Sequence, residues 1–350
     1  MNVRRFVCMV VLAVALVFGG SAAVFAGGAA EEEPDKLTFG YITPGPDTWY
    51  AMVVEGFTYA ADRVSEETGI EIEVDVLNSN YDEEQERSNI QTLIDRGVDG
   101  IGVFSFNPHG ATLAAREASR AGIPLVTVDN VGQALAEEDI VAAIDFDWEG
   151  MGVDVAEWIA ENHPGDNIAV VMGLFEHLPV QFFRSTFEPT VEELGANEIV
   201  EIRDGRYDPS RAVEEVEDMI EAGVEFETLF VFNEEMGAAV VRMLEARGLL
   251  NDPIRVVTTN GAPYGLELIE EGKIKYSIST SPGWEGFIAY LTLHSYVTGM
   301  SDERNQQILL PNNPITPETI DDPMKVVPWE TDPVWLELTS QYFPEFEGLY

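Results

Sequence analysis

Carboxylates, amides and paired aromatics stand directly after strand-length apolar runs at four places in the chain. Leu37–Thr43 is followed by Pro44-Gly45-Pro46-Asp47-Thr48-Trp49-Tyr50, Ile123–Val128 by Asp129-Asn130, Thr228–Phe232 by Asn233-Glu234-Glu235, and Ile254–Thr258 by Thr259-Asn260. A carboxylate accepts from two neighbouring hydroxyls, an Asn side chain both donates and accepts, and an aromatic face packs on the C–H face of a sugar ring. Together these residues suit an uncharged, polyhydroxylated small molecule. The competing reading of any one Asp or Asn is a helix cap, accepting from the first free N–H groups of the following helix. Other chemistries lack their residues. No Gly-x-Gly-x-x-Gly follows a strand and no Gly-Lys-Ser/Thr occurs, so nothing cradles a pyrophosphate. His109, His163, His177 and His294 are scattered without metal-ligand spacing, and there is no Gly-x-Ser-x-Gly elbow. With 63 acidic residues, carboxylate pairs of the glycosidase kind carry no signal. The expectation is a binding protein with no catalytic residues, no metal and no cofactor.

Residues after strands converge only if the strands lie side by side in one direction. Ten apolar runs of strand length occur: the four above, with Ile70–Leu77, Val98–Phe104, Val141–Ile144, Ile168–Met172, Glu198–Ile202 and Tyr276–Thr280. Stretches of helical spacing separate most of them, such as Ala51, Val54, Phe57, Ala61 and Val64. Alternation of this kind gives parallel sheets covered on both faces, with ligands at the carboxyl ends of the strands. Thr68-Gly69-Ile70, Arg96-Gly97-Val98, Ala121-Gly122-Ile123 and Ala222-Gly223-Val224 read as left-handed helix ends leading into the next strand. Ten strands are many for one doubly wound sheet, so the expected fold class is α/β, with two similar doubly wound parallel-sheet lobes joined by a hinge. Residues 305–350 break the rhythm, being proline-rich with scattered aromatics such as Trp329, Trp335, Phe346 and Tyr350. They are expected to form an extended tail laid over the lobes.

The 350 residues carry a formal net charge of -44, with a sequence pI near 4.1. Phosphate repels such a chain, which excludes nucleic acid and anionic membrane surfaces as partners. The 27–36 stretch is also too short for a helix-turn-helix ahead of the first strand. Residues 1–26 read as a cleaved secretory signal: Arg4 and Arg5, then the apolar run Phe6–Phe18, then small residues around Ala26. The sole cysteine, Cys8, lies inside this segment, so the secreted chain has no disulfide or thiolate chemistry. Residues 27–36 read as a flexible leader. Acidic residues crowd helix faces such as Glu83, Glu84 and Glu86, which are solvated surface. Their mutual repulsion favours opening the chain unless salt screens it, pointing to a saline habitat. The unfolding temperature is therefore expected to rise between low and molar salt, and indifference to salt would remove that inference.

Three stretches carry a resemblance. Ala121-Gly122-Ile123-Pro124-Leu125-Val126-Thr127-Val128-Asp129, Val231-Phe232-Asn233-Glu234-Glu235-Met236, and Thr258-Thr259-Asn260-Gly261 with Glu271-Gly272-Lys273-Ile274 resemble, in order and spacing, the ribose-type periplasmic sugar-binding proteins. These are solute receptors of ABC importers, and the likeness runs from about Lys36 to Leu310. It implies the type 1 periplasmic-binding-protein fold. It also implies ligand positions at Asp47, Trp49, Tyr50, Phe104, Asp129, Asn130, Phe146, Tyr207, Asn233, Asn260 and Thr280, with Arg184 in place of the family's second-lobe Arg. The chain departs from the family at Asp47 for Asn, Asn130 for Arg, Asn260 for Asp and Thr280 for Gln, which alters the hydroxyls each lobe reads. The implied domains are residues 37–146 with 281–309 as the N-terminal lobe, 147–280 with 310–325 as the C-terminal lobe, and 326–350 as the tail. The implied partners are a sugar and the permease subunits of an importer in the inner membrane, served by a monomeric receptor in the periplasm. A nucleoside or autoinducer receptor of the same fold, and a chemosensory sugar receptor, are the alternatives.

Overall fold

The computed structural model describes residues 35–105, 107–129, 138–322 and 324–350. The signal and most of the leader, and Asn130 among the site residues, lie outside them.

Strand and helix alternate through the first lobe as β1 (Lys36–Thr43), α1 (Thr48–Thr68), β2 (Glu71–Asn78), α2 (Glu83–Arg96), β3 (Gly100–Phe104), α3 (Pro108–Ala121), β4 (Leu125–Val128) and β5 (Ala142–Phe146). The second lobe follows as α4 (Trp148–Asn162), β6 (Asn167–Met172), α5 (Leu178–Leu194), β7 (Glu198–Asp204), α6 (Pro209–Glu221), β8 (Thr228–Val231), α7 (Glu234–Arg247), β9 (Arg255–Val257), α8 (Pro263–Glu270) and β10 (Ile274–Ser279). Then come α9 (Pro282–Val297), β11 (Gln306–Leu310), β12 (Asn313–Ile315) and α10 (Val334–Tyr342). All ten apolar runs form strands. They assemble into two six-stranded sheets, ordered β2-β1-β3-β4-β5-β11 and β7-β6-β8-β9-β10-β12. Every pairing is parallel except β10 with β12. The two lobes share one winding, so the residues after β1, β3 and β4 face those after β6, β8 and β9 across a cleft.

The chain crosses between the lobes at Phe146-Asp147-Trp148, at Ser279–Pro282 and at Leu310–Asn313. The last segment differs from an extended tail. Residues 305–350 first add an edge strand to each sheet, then run along the crossings, and end in α10 and a 3-10 turn at Pro344–Phe346. β11 alternates half-buried and exposed positions up to a buried Leu310 and β12 has three residues including a proline, so neither shows as an apolar run. Hydrogen bonds strap this segment to both lobes. Val327 N donates to Ser279 Oγ at 2.9 Å, Ser281 Oγ to Pro328 O at 2.6 Å, Trp329 Nε1 to Asn260 O at 3.3 Å, and Thr331 Oγ1 to Glu55 on α1 at 2.7 Å. Aromatics complete the packing: Trp284 on α9 donates to Thr339 of the tail, and the tail's Tyr350 packs edge-on against Phe287 of α9.

Helix α9 is buried from Pro282 to Ser295 and packs on α1 and on β3, β4 and β5, as the central helix of the first lobe. It carries Glu285, fully buried, whose two carboxylate oxygens have no hydrogen-bond partner among the described residues. Asp145 on β5, Asp129 after β4 and the buried Tyr41 hydroxyl lie close to it. Burial, and then the neighbouring charges of Asp129 and Asp145, push Glu285 well above the usual carboxylate range. Asp145 is raised too, but it accepts from Phe146 N and Trp148 Nε1, both at 2.7 Å, so Glu285 is the group that keeps its proton. A raised carboxyl favours the folded state at pH below its unfolded value, and that contribution disappears as pH climbs through the folded value. Glu285→Gln keeps the shape and stays neutral throughout. The variant is expected to lose less stability between pH 5 and pH 8 than the parent, and to be the more stable at pH 8 by about 1–3 kcal/mol. Thermal denaturation of both proteins across that range checks it; parallel pH profiles would contradict it.

Candidate functional site

A cavity of about 430 Å³ lies between the carboxyl ends of the two sheets. The first lobe contributes Asp47, Thr48, Trp49 and Tyr50 from the start of α1, Phe104 from the end of β3, and Asp129 after β4. The second contributes Trp148 at the start of α4, His177 and Pro179 at the start of α5, Tyr207 before α6, Phe232, Asn233 and Glu235 after β8, and Tyr264 on α8. Trp329 from the C-terminal strap completes the lining.

The aromatic walls are held edge against face. Tyr50 meets Phe104 at 4.8 Å and 84°, Trp49 meets Trp329 at 5.2 Å and 89°, and Trp148 stacks on Phe232 at 5.9 Å and 22°. Asp145 fixes the Trp148 indole through its Nε1 hydrogen bond and so acts as a positioning residue from behind the wall. Phe146 also stands behind it, edge-on to Trp49 at 6.1 Å and to Trp148 at 6.0 Å, buried and not part of the lining.

Asp129 is the buried acid of the cavity, 6% exposed, with a left-handed φ of 49° that Asp tolerates better than most residues. Asp47 occupies the N-cap position of α1 without capping it; its carboxylate accepts instead from the Tyr81 hydroxyl. Asn233 does cap, its Oδ1 accepting from Met236 N at 3.0 Å, so the cap and ligand readings are compatible: one end of the amide serves the helix and Nδ2 remains for the cavity. Glu234 and Glu235, adjacent in sequence, face opposite ways. Glu234 is buried, accepts from Gly261 N at 2.8 Å and Ala262 N at 3.2 Å, and is pushed up to about 7 by burial; Glu235 is exposed at the cavity rim. Burial lowers His177 to about 4, so it is neutral at pH 7, and its Nδ1 hydrogen-bonds the Tyr207 hydroxyl at 2.8 Å. Tyr207 and Tyr50 are raised, by burial first and then by Asp129, and remain protonated donors.

Seven of the residues singled out by sequence thus meet in one cavity: Asp47, Trp49, Tyr50, Phe104, Asp129, Tyr207 and Asn233. Asn260 and Thr280 do not line it. Asn260 O accepts from Thr280 N and Oγ1 and from Trp329 Nε1, so the pair anchors the strap behind Trp329. Arg184 lies outside the cavity. Its Nε donates to Glu188 at 2.6 Å, one turn along α5, and its guanidinium sits over Phe175 at 4.9 Å, while the cavity is reached only by the N-terminal end of that helix, at His177 and Pro179. Sequence reasoning does not assign Trp148, Pro179, Phe232, Tyr264 and Trp329 to the site; Thr48 and Glu235 stand in the post-strand stretches without being assigned, and His177 follows a strand but reads as a surface or structural histidine. Trp148 and Phe232 stand at strand ends and were open to the same argument; Trp329 has no local signal, because only the fold brings the strap to the cleft. Among the described residues no group of three His, Cys, Asp or Glu side chains is placed to hold a metal ion, and no helix is long and apolar enough to cross a membrane.

Comparison with known proteins follows the same lines. Residues 39–301 match the family described as "Periplasmic binding protein domain". The fructose import binding protein of Bifidobacterium longum is 23% identical over 314 residues, covering 88% of this chain and 93% of that one. The ribose import binding protein of Haemophilus influenzae is 22% identical over 244 residues, covering 68% and 79%. Among solved structures, an ABC transporter solute binding protein from Burkholderia graminis in complex with D-arabinose superposes with a TM-score of 0.72 at 19% identity, covering 83% of this chain and 99% of that one. One from Bacillus halodurans with bound myo-inositol gives 0.69 at 21%, covering 83% and 98%.

Proposed function

The chain belongs to the periplasmic binding protein domain family, and on that premise we propose that it is a secreted receptor that captures a monosaccharide or similar polyhydroxylated small molecule between its lobes and delivers it to an ABC importer. The observation that carries the reading is the cavity itself: aromatic faces, carboxylates and an amide from both lobes converge at the carboxyl ends of two parallel sheets. The relatives named for fructose and ribose import, and the fold neighbours holding D-arabinose and myo-inositol, lend it support. The work of the site is binding alone. Trp49, Tyr50 and Phe104 supply apolar faces from the first lobe and Trp148 and Phe232 from the second; Asp129 accepts hydrogen bonds from ligand hydroxyls, and Asn233 Nδ2 donates. A ligand touching both lobes favours their closed arrangement by its differential affinity for it, with bending at the three crossings, and the closed form is the one a permease recognises. The N-terminal signal, cleaved after residue 26, delivers the chain to the periplasm as a monomer.

A thermal-shift panel of pentoses, hexoses, polyols and nucleosides tests the reading. A ligand at about 100 times its dissociation constant adds roughly 2.7 kcal/mol of stability, readily seen as a higher melting temperature. A response to nucleosides alone would move the assignment to the nucleoside receptors of this fold. A panel with no response at all would remove the polyol reading.

A further inference from the structure

The described lining of the cavity brings carboxylates from both lobes. Asp47 and Glu235 are exposed on opposite rims, and Asp129 is buried between the aromatic walls. Among the described residues no Lys or Arg lines the cavity, and the stretch that follows Asp129 reads NVGQALAE, without a basic residue. The nearby cations are committed elsewhere: Arg184 to Glu188, and Arg206, next to Tyr207, to Asp204 at 3.7 Å. His177 is neutral at pH 7. The Glu235 carboxyl is raised by partial burial, then by the charges of Asp47 across the cleft and Asp208 on its own lobe.

Closing the lobes expels water from between Asp47 and Glu235 and strengthens their repulsion. A neutral sugar leaves that repulsion in place, whereas a cation between the rims turns it into attraction from both sides. The walls favour the same charge, because indole and phenol faces attract an ammonium group desolvated against them. We propose that the ligand is a positively charged polyol, an amine-bearing sugar or aminocyclitol, whose ammonium is shared by Asp47 from one lobe and Glu235 from the other while its hydroxyls face Asp129 and Asn233. The proposal rests on the reading of the cavity as a polyol site and specifies the charge of its occupant. The acids then couple ligand charge to closure: the empty receptor is held apart by the carboxylates that clamp the occupied one.

Isothermal titration calorimetry on matched probes decides it: D-glucosamine against D-glucose and N-acetyl-D-glucosamine, D-galactosamine against D-galactose and its N-acetyl form, and an amino-deoxy-inositol against myo-inositol. The expected result is that at least one amine binds 30-fold or more tightly than both its hydroxyl and its N-acetyl counterpart. Glu235→Gln and Asp47→Asn should each weaken that amine tenfold or more while leaving the melting temperature of the unliganded protein at or above the parent's. A neutral sugar binding as tightly as its amine, or an amine indifferent to both substitutions, overturns the charge assignment and leaves the polyol receptor standing. Failure of every probe, charged and neutral, overturns both.

Discussion

Gly56→Leu is expected to destabilise the protein by about 3 kcal/mol or more, near the top of the range for overpacking a rigid contact, and to lower its melting temperature by roughly 5–10 °C. A Cβ at Gly56 on α1 would lie 1.7 Å from the Gly283 carbonyl oxygen of α9, and one at Gly286 would lie 2.0 Å from Val53 O. Both obstacles are backbone, so no rotamer change relieves them, and the two helices must separate. Gly→Ala at an unobstructed helix position gains about 1 kcal/mol in propensity, which here is overwhelmed. The damage extends to the site, because Trp49 and Tyr50 sit on the first turn of α1, two turns before Gly56. Ligand affinity should fall along with stability. Glu67→Val, on an exposed position of the same helix, is the control and should stay within about 0.5 kcal/mol of the parent. A Gly56→Leu protein that melts with the parent would show that α1 and α9 are not held at this distance by backbone contact.

That contact also marks a limit of sequence reading. Gly56 and Gly286 interrupt helical patterns with no hint that one abuts Gly283 and the other Val53 on a helix far away in the chain. The lobes were legible because each parallel strand is buried on both faces and declares itself as an apolar run, and because residues such as Gly97, with φ of 68° and its N–H bonded back to Ile94 O, close a helix in a conformation glycine adopts without strain. β11 and β12 were not legible as strands, since an edge strand is half exposed and its pairing is decided by what lies beside it. The same division runs through the site. Asp47, Asp129 and Asn233 follow strands, and the topology brings strand ends together whatever the loops do. Trp329 and Tyr264 reach the cavity through the path of the strap and the tilt of a short helix, which no local pattern encodes. Arg184 stands outside this cavity for a local reason: a Glu one turn further along α5 offers it an ion pair.

The acidity divides along similar lines. Many carboxylates lie on exposed helix faces, and the ion pairs among them are exposed on at least one side, so each contributes little. The acids with consequences are few. Glu285 and Asp145 lie beneath the crossings, Asp129 stands at the junction of core and cavity, and Asp47 and Glu235 face each other over the rims. Asp129 belongs to both networks, since its charge raises Glu285 and Asp145 as well as Tyr50 and Tyr207.

Substitution of Asp129 therefore has two separable effects. Asp129→Ala is expected to weaken binding of whichever polyol stabilises the protein by about 2–4 kcal/mol, roughly 30- to 800-fold in dissociation constant, because buried ligand hydroxyls lose their acceptor and find no water in its place. Alanine is also strained at a φ of 49°, so the cleaner variant is Asp129→Asn, which tolerates that backbone and still accepts one hydrogen bond. For a neutral sugar Asn should recover most of the loss, ending within about tenfold of the parent, a loss of about 1.4 kcal/mol. For a cationic ligand it should recover little, because the loss is then one of charge. The second effect has the opposite sign. Removing the Asp129 charge relieves the repulsion that holds Glu285 and Asp145 up, so the unliganded Asp129→Asn protein should be at least as stable as the parent at pH 8. Calorimetric affinity and thermal denaturation on the same preparation separate the two. Affinity unchanged in both variants would remove Asp129 from the site, and an Asn variant less stable than the parent at pH 8 would detach it from the buried acids under the crossings.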